Sequence, residues 1–459
     1  MAGGGLMQLV AYGAQDIYLT GKPQITFWKA VYRRYTNFAI ESIQQDVLGS
    51  PQFGVQVSVT ISRNGDLLKR VWIEYSPQDL LEGINSNLLG YTGQTIAANI
   101  GHAIINSITL EIGGQIIDRH YGKWLTIWNY LTESNPTGEQ GALDNYATGP
   151  GEYSPSPAFG PAGSGDNSVA EVYPRATRYN RMAYTHRAQC NVVNNGGAAQ
   201  LAWVPLQFWF CRNPGLALPL IALQYHEVKL FINLAALDNV RSGDQNTLTG
   251  NEFRRFAVYA DFVYLDTTER RQFAQNSHEY LIEQLQIFES VSTINIKLPF
   301  NHPVKELIWA PVPLPVGTTN SDPPNRNNII PGGATPNTGF TQTTIQTPNT
   351  YAIVLNGSNR FNPRDITYFT RNQVWEAHTG FGSVIYPDSI AVYSFALKPE
   401  EFQPSGTCNF SRIESAQLIR SQTFNVNTAK ASADVIDIYA VNYNLYRIGS
   451  GMGGVAYSN

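Results

Sequence analysis

Four short segments in the first half of this 459-residue chain return in the same order in the second half, which narrows the fold to two copies of one module. Lys69-Arg-Val-Trp72 parallels Glu306-Leu-Ile-Trp309, and Ile108-Thr-Leu110 before glycine parallels Ile353-Val-Leu355 before Gly357. Phe208, Phe210, Pro214 and Pro219 match Tyr393, Phe395, Pro399 and Pro404 at identical spacing, and Val258-Tyr-Ala260 matches Ile438-Tyr-Ala440. A single match could be chance. Four in order argue for a duplication.

The repeated module reads as all-β. Val55 to Ser62 alternates apolar and polar at period two, and Asn64-Gly65 follows with a pair suited to a tight hairpin turn. Ile108 to Ile112 alternates likewise and ends at Gly113-Gly114. Further strands are expected at 201–210, 227–234, 256–265, 293–298, 307–312, 351–355, 390–397 and 435–445. One helix is expected, from a cap at Asp266 or Thr267 to about Gln284, with Phe273, Tyr280, Leu281 and Leu285 on its apolar side. Two long stretches, 133–168 and 313–348, are rich in Gly, Pro, Asn, Ser and Thr and read as surface loops.

Composition removes several function classes. Charged residues make up 14%, against roughly a quarter in average soluble proteins. With a net charge of −4, no basic field is available to hold nucleic acid, so direct genome binding is not expected. Cys190, Cys211 and Cys408 lie far apart, without a disulfide framework or a zinc-type pair, and read as reduced thiols. The first residues lack the basic start and apolar run of a signal peptide, and the longest apolar run, around Leu216 to Leu223, is broken by Pro219. A soluble protein made inside the cell is expected.

No catalytic constellation is legible from spacing. The seven histidines, at 102, 120, 186, 226, 278, 302 and 378, form no metal-binding pattern, and no cofactor or metal is expected. Glu74, Glu111, Asp118 and Glu227 stand in or beside strands where a glycosidase could keep its acid and base. A tandem β-sandwich carbohydrate-binding protein or glycosidase is therefore the alternative reading. Gly449-Ser-Gly451-Met-Gly-Gly454 has phosphate-loop glycine spacing, but too few residues follow for a helix, so a tail that tucks against a neighbour is expected. Asn356-Gly-Ser358 and Asn409-Phe-Ser411 are the two N-glycosylation sequons, at Asn356 and Asn409.

The segment from Tyr12 to Ser42 interleaves aromatic and basic residues and gains more by lying on another surface than by folding on itself. Phe27, Trp28, Tyr32, Arg33, Arg34 and Tyr35 are its candidate base or interface anchors. The same side chains could also cover the open end of their own first module.

Several runs resemble the major capsid proteins of the nucleocytoplasmic large DNA viruses, most closely the chlorella-virus and amoebal giant-virus branches. They are the Tyr12–Ser42 arm itself, ISRNGDL (Ile61 to Leu67), LEIGGQIIDRHY (Leu110 to Tyr121), NPGLALPLIALQYHEVKL (Asn213 to Leu230), HEYLIEQLQ (His278 to Gln286), FALKP (Phe395 to Pro399), PSGTCNFSRI (Pro404 to Ile413) and SGMGG (Ser450 to Gly454). The resemblance implies a double jelly roll: two consecutive eight-stranded jelly-roll β-sandwiches, grouped as a homotrimeric, pseudo-hexameric capsomer that tiles an icosahedral shell. On that reading the chain divides into an arm (1–26), a first jelly roll (27–268), a helical linker (269–282), a second jelly roll (283–448) and a C-terminal tail (449–459). The implied partners are further copies of itself, neighbouring capsomers and minor capsid proteins, with the arm at the capsomer base near an inner viral membrane. The implied location is the virion, after synthesis and assembly in the host cytoplasm.

Overall fold

The computed structural model describes residues 4–28, 30, 32–76, 95–96, 100–133, 178–183, 201–236, 241–242, 253, 255–289, 294–312, 349–380, 390–421 and 436–457. Apart from Glu133, the loops expected at 133–168 and 313–348 lie outside the described residues, as does Cys190. The chain divides into an N-terminal unit, Met1–Phe38, and a body, Ala39–Asn459. In the N-terminal unit, Gly4–Val10 and Ile17–Thr20 are short helices that bury no residue. They are below the length at which a helix holds by itself in water.

Among the described residues, the first half carries β1 (Phe38–Gln45), β2 (Val47–Leu48), β3 (Gln56–Thr60), β4 (Leu67–Tyr75), β5 (Thr95–Ile96), β6 (Ile105–Ile112), β7 (Gln115–Tyr121), β8 (Ala202–Pro205), β9 (Leu218–Pro219), β10 (Val228–Leu234), β11 (Arg241–Ser242) and β12 (Phe256–Leu265). The second half carries β13 (His278–Glu289), β14 (Asn295–Lys297), β15 (Pro303–Pro311), β16 (Thr350–Leu355), β17 (Ser358–Asn359), β18 (Arg364–Asp365), β19 (Ala391–Ser394), β20 (Cys408–Asn409), β21 (Ala416–Arg420), β22 (Ile436–Gly449) and β23 (Met452–Val455).

Two principal sheets form in each half, beside a small β5–β11 pair in the first, and the orders of the principal sheets repeat. In the first half they run β1-β12-β4-β8 and β2-β3-β10-β6-β7; in the second, β13-β22-β15-β19 and β14-β21-β16-β17. Short β9, β20 and β18 extend β4, β15 and β16, and β17 with β18 stands where β7 does. In both halves the first and last principal strands are neighbours in one sheet, which is the double Greek key of a jelly roll. Alternation decides which side chains go inside: Val57, Val59, Leu110, Leu230 and Ile232 fill one core, and Leu307, Trp309, Ile353, Leu418 and Ile438 the other. Each such side chain stabilises the fold by about 1.5–3 kcal/mol.

The repeat survives in the structure with two of its matches shifted. Val258 pairs with Ile73 and Ile438 with Trp309, so Trp309 corresponds to Ile73 rather than Trp72. A slip of one residue reverses the side chain, and Trp309 is buried in the core while Trp72 points outward, half-buried. In the other sheet, Ile112 pairs with Gln115 and Leu355 with Ser358 across two-residue turns. Leu110 and Ile112, not Ile108 and Leu110, therefore correspond to Ile353 and Leu355. Both turns have positive φ at both central positions, 61° and 85° at Gly113-Gly114 and 49° and 80° at Asn356-Gly357. Only glycine, and to a lesser degree Asn, enters that region without strain.

Three further expectations change. Asn64-Gly65 closes no hairpin, because β3 and β4 lie in different sheets. A Cβ on Gly65 would stand 2.6 Å from Phe262 Cβ, so close packing at the crossover is what requires the glycine. The helix begins as expected but ends at Gln275, and His278–Glu289 pairs along its whole length with β22. Its apolar residues satisfy period two as well as a helical stripe, and pairing with a long buried strand outweighs helix propensity. The expected tail beyond Gly449 is instead β23, folded back on β22 through Ser450-Gly451. Its glycines admit neighbours from the chain itself: His226 Nδ1 meets Gly453 O at 3.0 Å, and a Cβ on Gly453 would strike Tyr446 and Leu223.

Candidate assembly surfaces and the junction between modules

The six arm candidates share one property. Phe27, Trp28, Tyr32 and Tyr35 are each more than four-fifths exposed, and Arg33 and Arg34 are exposed as well.

Within the body, the two modules meet at a junction the sequence reading did not identify. The helix Gly122–Thr132 of the first module lays Trp124, Ile127, Trp128 and Leu131 on the outer side of the second module's sheet, against Ile308, Val392, Tyr439 and Val441. Gly380 N donates to Leu131 O at 2.7 Å at the helix end, and a Cβ on Gly380 would meet that same carbonyl at 2.6 Å. Edge strands meet too: Leu285 N donates to Asp118 Oδ1 at 3.1 Å, joining β13 to β7.

Buried charge runs through this junction. Lys123 Nζ pairs with Asp437 Oδ2 and also donates to Pro311 O. Glu283 accepts from Arg212 at 2.7 Å and from Lys305 at 2.6 Å, and the Arg212 guanidinium lies 4.8 Å from the centre of the Trp128 ring. Burial alone would raise the Glu283 carboxyl, but Arg212 and Lys305 outweigh it and hold it below its ordinary value. His378 stands between Glu306 at 3.1 Å and Glu400 at 2.9 Å. Burial pulls its pKa down while the two carboxylates push it up, and the carboxylates win, at about 9. Of these, Lys123–Asp437 and Arg212–Glu283 cross between the modules and hold their relative placement, because separating the partners would leave an unpaired charge in an apolar setting. Lys123 beside Trp124, and Lys305-Glu306 inside an otherwise apolar strand, are the sequence signal that could have located them.

Three of the four carboxylates considered for glycosidase chemistry stand in ion pairs. Glu74 is held by Arg255 and by Trp203 Nε1 at 2.9 Å, Asp118 by His120 at 2.9 Å, and Glu227 by Lys229 at 3.1 Å. Glu111 sits within the β6–β10 ladder opposite Lys229. Cys211 is buried and its thiol is pushed up to about 12 by that burial; Cys408 is half-buried. Among the described residues no group of three His, Cys, Asp or Glu could hold a metal, and no helix is long and apolar enough to cross a membrane. Both sequon asparagines are exposed and have local structural work: Asn356 Oδ1 accepts from Ser415 N at 3.0 Å, and Asn409 Oδ1 caps a helical turn through Ser411 N at 3.0 Å.

Comparison with known proteins gives a consistent picture. A family model described as major capsid protein N-terminus matches residues 26–266, and one described as large eukaryotic DNA virus major capsid protein matches residues 269–454. The chain is 44% identical over 478 residues to the major capsid protein of Pyramimonas orientalis virus, covering 100% of both chains. It is 39% identical over 501 residues to that of Paramecium bursaria Chlorella virus 1, covering 99% of this chain and 100% of the other. Among solved structures, PBCV-1 VP54 superimposes with a TM-score of 0.67 at 34% identity, covering 95% of this chain and 100% of that one. The Faustovirus major capsid protein, at 12% identity and a TM-score of 0.59, shares the fold.

Proposed function

The chain belongs to the large eukaryotic DNA virus major capsid protein family, and from that premise we propose that three copies associate into a six-lobed tile of an icosahedral shell. It is a capsid protein and its place is the virion. The observation that carries the proposal is the repeated sheet order, β1-β12-β4-β8 and β13-β22-β15-β19, with the two modules held rigidly by a buried junction. A rigid pair of like blocks, used three times, fills a sixfold lattice site. Interfaces of well over about 2,000 Å² each suit an obligate assembly of this kind.

In this reading the arm, residues 1–26, and the anchors Phe27, Trp28, Tyr32, Arg33, Arg34 and Tyr35 lie at the base of the tile. There they contact minor capsid proteins and approach an inner membrane, and assembly takes place in the host cytoplasm. The first module is taken as 27–268. The second is taken to begin at β13 rather than at 283 and to include β23, which shortens both the linker and the tail. On this reading the protein works as a structural part of the shell, without catalysis or cofactor; the ion pairs of Glu74, Asp118 and Glu227 support it.

Weighing the purified protein by light scattering or native mass spectrometry tests the reading. A stable trimer without affinity for sugars is the expected result. A monomer that binds or cleaves glycans would instead favour the tandem sandwich alternative.

A further inference from the structure

The first module does not close its apolar core alone. Ile282 of β13 and Tyr446 and Ile448 of β22 belong to the same buried cluster as Leu110, Leu223 and Leu230, and Val455 of β23 packs against it. Tyr446 lies beside Trp209, with ring centres 6.0 Å apart. Tyr446 and Leu223 are both fully buried, and what roofs them is backbone: a Cβ on Gly453 would stand 2.7 Å from Leu223 Cδ2 and would overlap the Tyr446 hydroxyl. Core residues of the first module are thus covered by the last of the described strands.

The hairpin that brings β23 there is fitted to the first module along its length. Ser450 and Gly451 turn with φ at 53° and 79°, and Gly451 O accepts from Tyr225 N at 3.0 Å. A Cβ on Gly451 would stand 2.6 Å from the Tyr225 ring, so the turn sits flat on that side chain. Gly453 presents its N–H and C=O to His226 Nδ1, at 3.2 and 3.0 Å, and the imidazole takes the place of a neighbouring strand. His226 is itself held. Its ring leaves no room for a Cβ on Gly113, and Arg63 donates to the carbonyls of Gln224 at 2.7 Å and His226 at 3.1 Å. Beyond β23, Tyr457 O accepts from Asn444 Nδ2 at 2.8 Å.

We propose that the β22–β23 hairpin is a clasp on the first module: until β23 is made and folds back, residues 223–227 stay open and the first module's core is unfinished. A chain interrupted before Met452 has the principal strands of both modules and yet lacks the cover over Leu223 and Tyr446. Closure of the clasp therefore separates copies that carry β23 from copies that stop short of it, before either meets a partner. Closing forms no covalent bond. It needs the two-residue turn and glycine at 451 and 453, where any side chain would hold the hairpin away from Tyr225, Leu223 and Tyr446.

Hydrogen exchange read by mass spectrometry, on the wild type and three variants, tests the clasp. A chain ending at Gly449 and the Gly453→Val variant should each exchange the amides of 223–227, that of Tyr225 above all, at least about 10-fold faster than the wild type, while β14, β16 and β21 keep their wild-type rates. Gly454→Ala should match the wild type, since a Cβ there meets only Gln115 Oε1, at 3.2 Å. Where the Gly449-ended chain and Gly453→Val disagree, the shortened chain decides. Unchanged exchange at 223–227 in that chain would overturn the proposal. So would acceleration spread evenly over both modules, or outright unfolding, because the hairpin would then be part of the common fold and not a clasp that closes on it.

Discussion

Lys123 Nζ lies 2.8 Å from Asp437 Oδ2, and although the two residues belong to different modules, each side chain is only 1% exposed. Such a pair contributes little compared with a well-packed apolar one but is costly to break from one side. Lys123→Met should lower the stability of the monomer by about 3–5 kcal/mol, because Asp437 is left buried and charged. Lys123→Met combined with Asp437→Leu should recover most of the loss. Denaturant titration of the two variants checks this, and equal losses in both would show that the charge itself is not what matters.

His378 gives the body a dependence on alkaline pH. Its pKa is raised from 6.5 to about 9 by Glu306 and Glu400 acting against burial. The stabilisation is therefore complete below about 6.5 and fades as pH climbs through about 9, by on the order of 3 kcal/mol. Unfolding midpoints measured across that window should fall for the wild type and stay flatter for His378→Gln.

Asn356 serves its turn through its backbone, with φ at 49°, and through the bond its Oδ1 accepts from Ser415 N. Asn356→Gly keeps the first and loses the second, about 0.5–1.5 kcal/mol, whereas Asn356→Val loses both and should cost about 1–2 kcal/mol more. Thermal melts of the two variants separate this role from that of a glycan acceptor, which both substitutions abolish equally.

Deleting residues 1–26 should leave trimers intact by light scattering while reducing the yield of closed shells seen by electron microscopy. A truncated chain that unfolds or remains monomeric would move the arm from the tile's base into its body.

Much of this architecture was legible in the sequence because period-two alternation and turn glycines act locally. Gly113-Gly114 and Asn356-Gly357 mark their hairpins in the residues themselves. The slips came where the decision is tertiary. His278–Glu289 satisfies either periodicity until β22 is laid beside it, and the paired tryptophans Trp72 and Trp309 look equivalent until the register turns one outward. The junction was harder still, since Lys123, Arg212, Glu283 and Asp437 become one site only after folding brings together residues far apart in the chain.

In each module the first strand made sits beside the last long one, β1 against β12 and β13 against β22. During synthesis the opening strand must wait for nearly the whole module to leave the ribosome before its neighbour exists, and pairing over such separations is slow. An unfinished sheet with an open slot is the form most prone to sticking to other nascent chains. The vulnerable interval in building this coat therefore falls inside each newly made polypeptide, before any two copies have met.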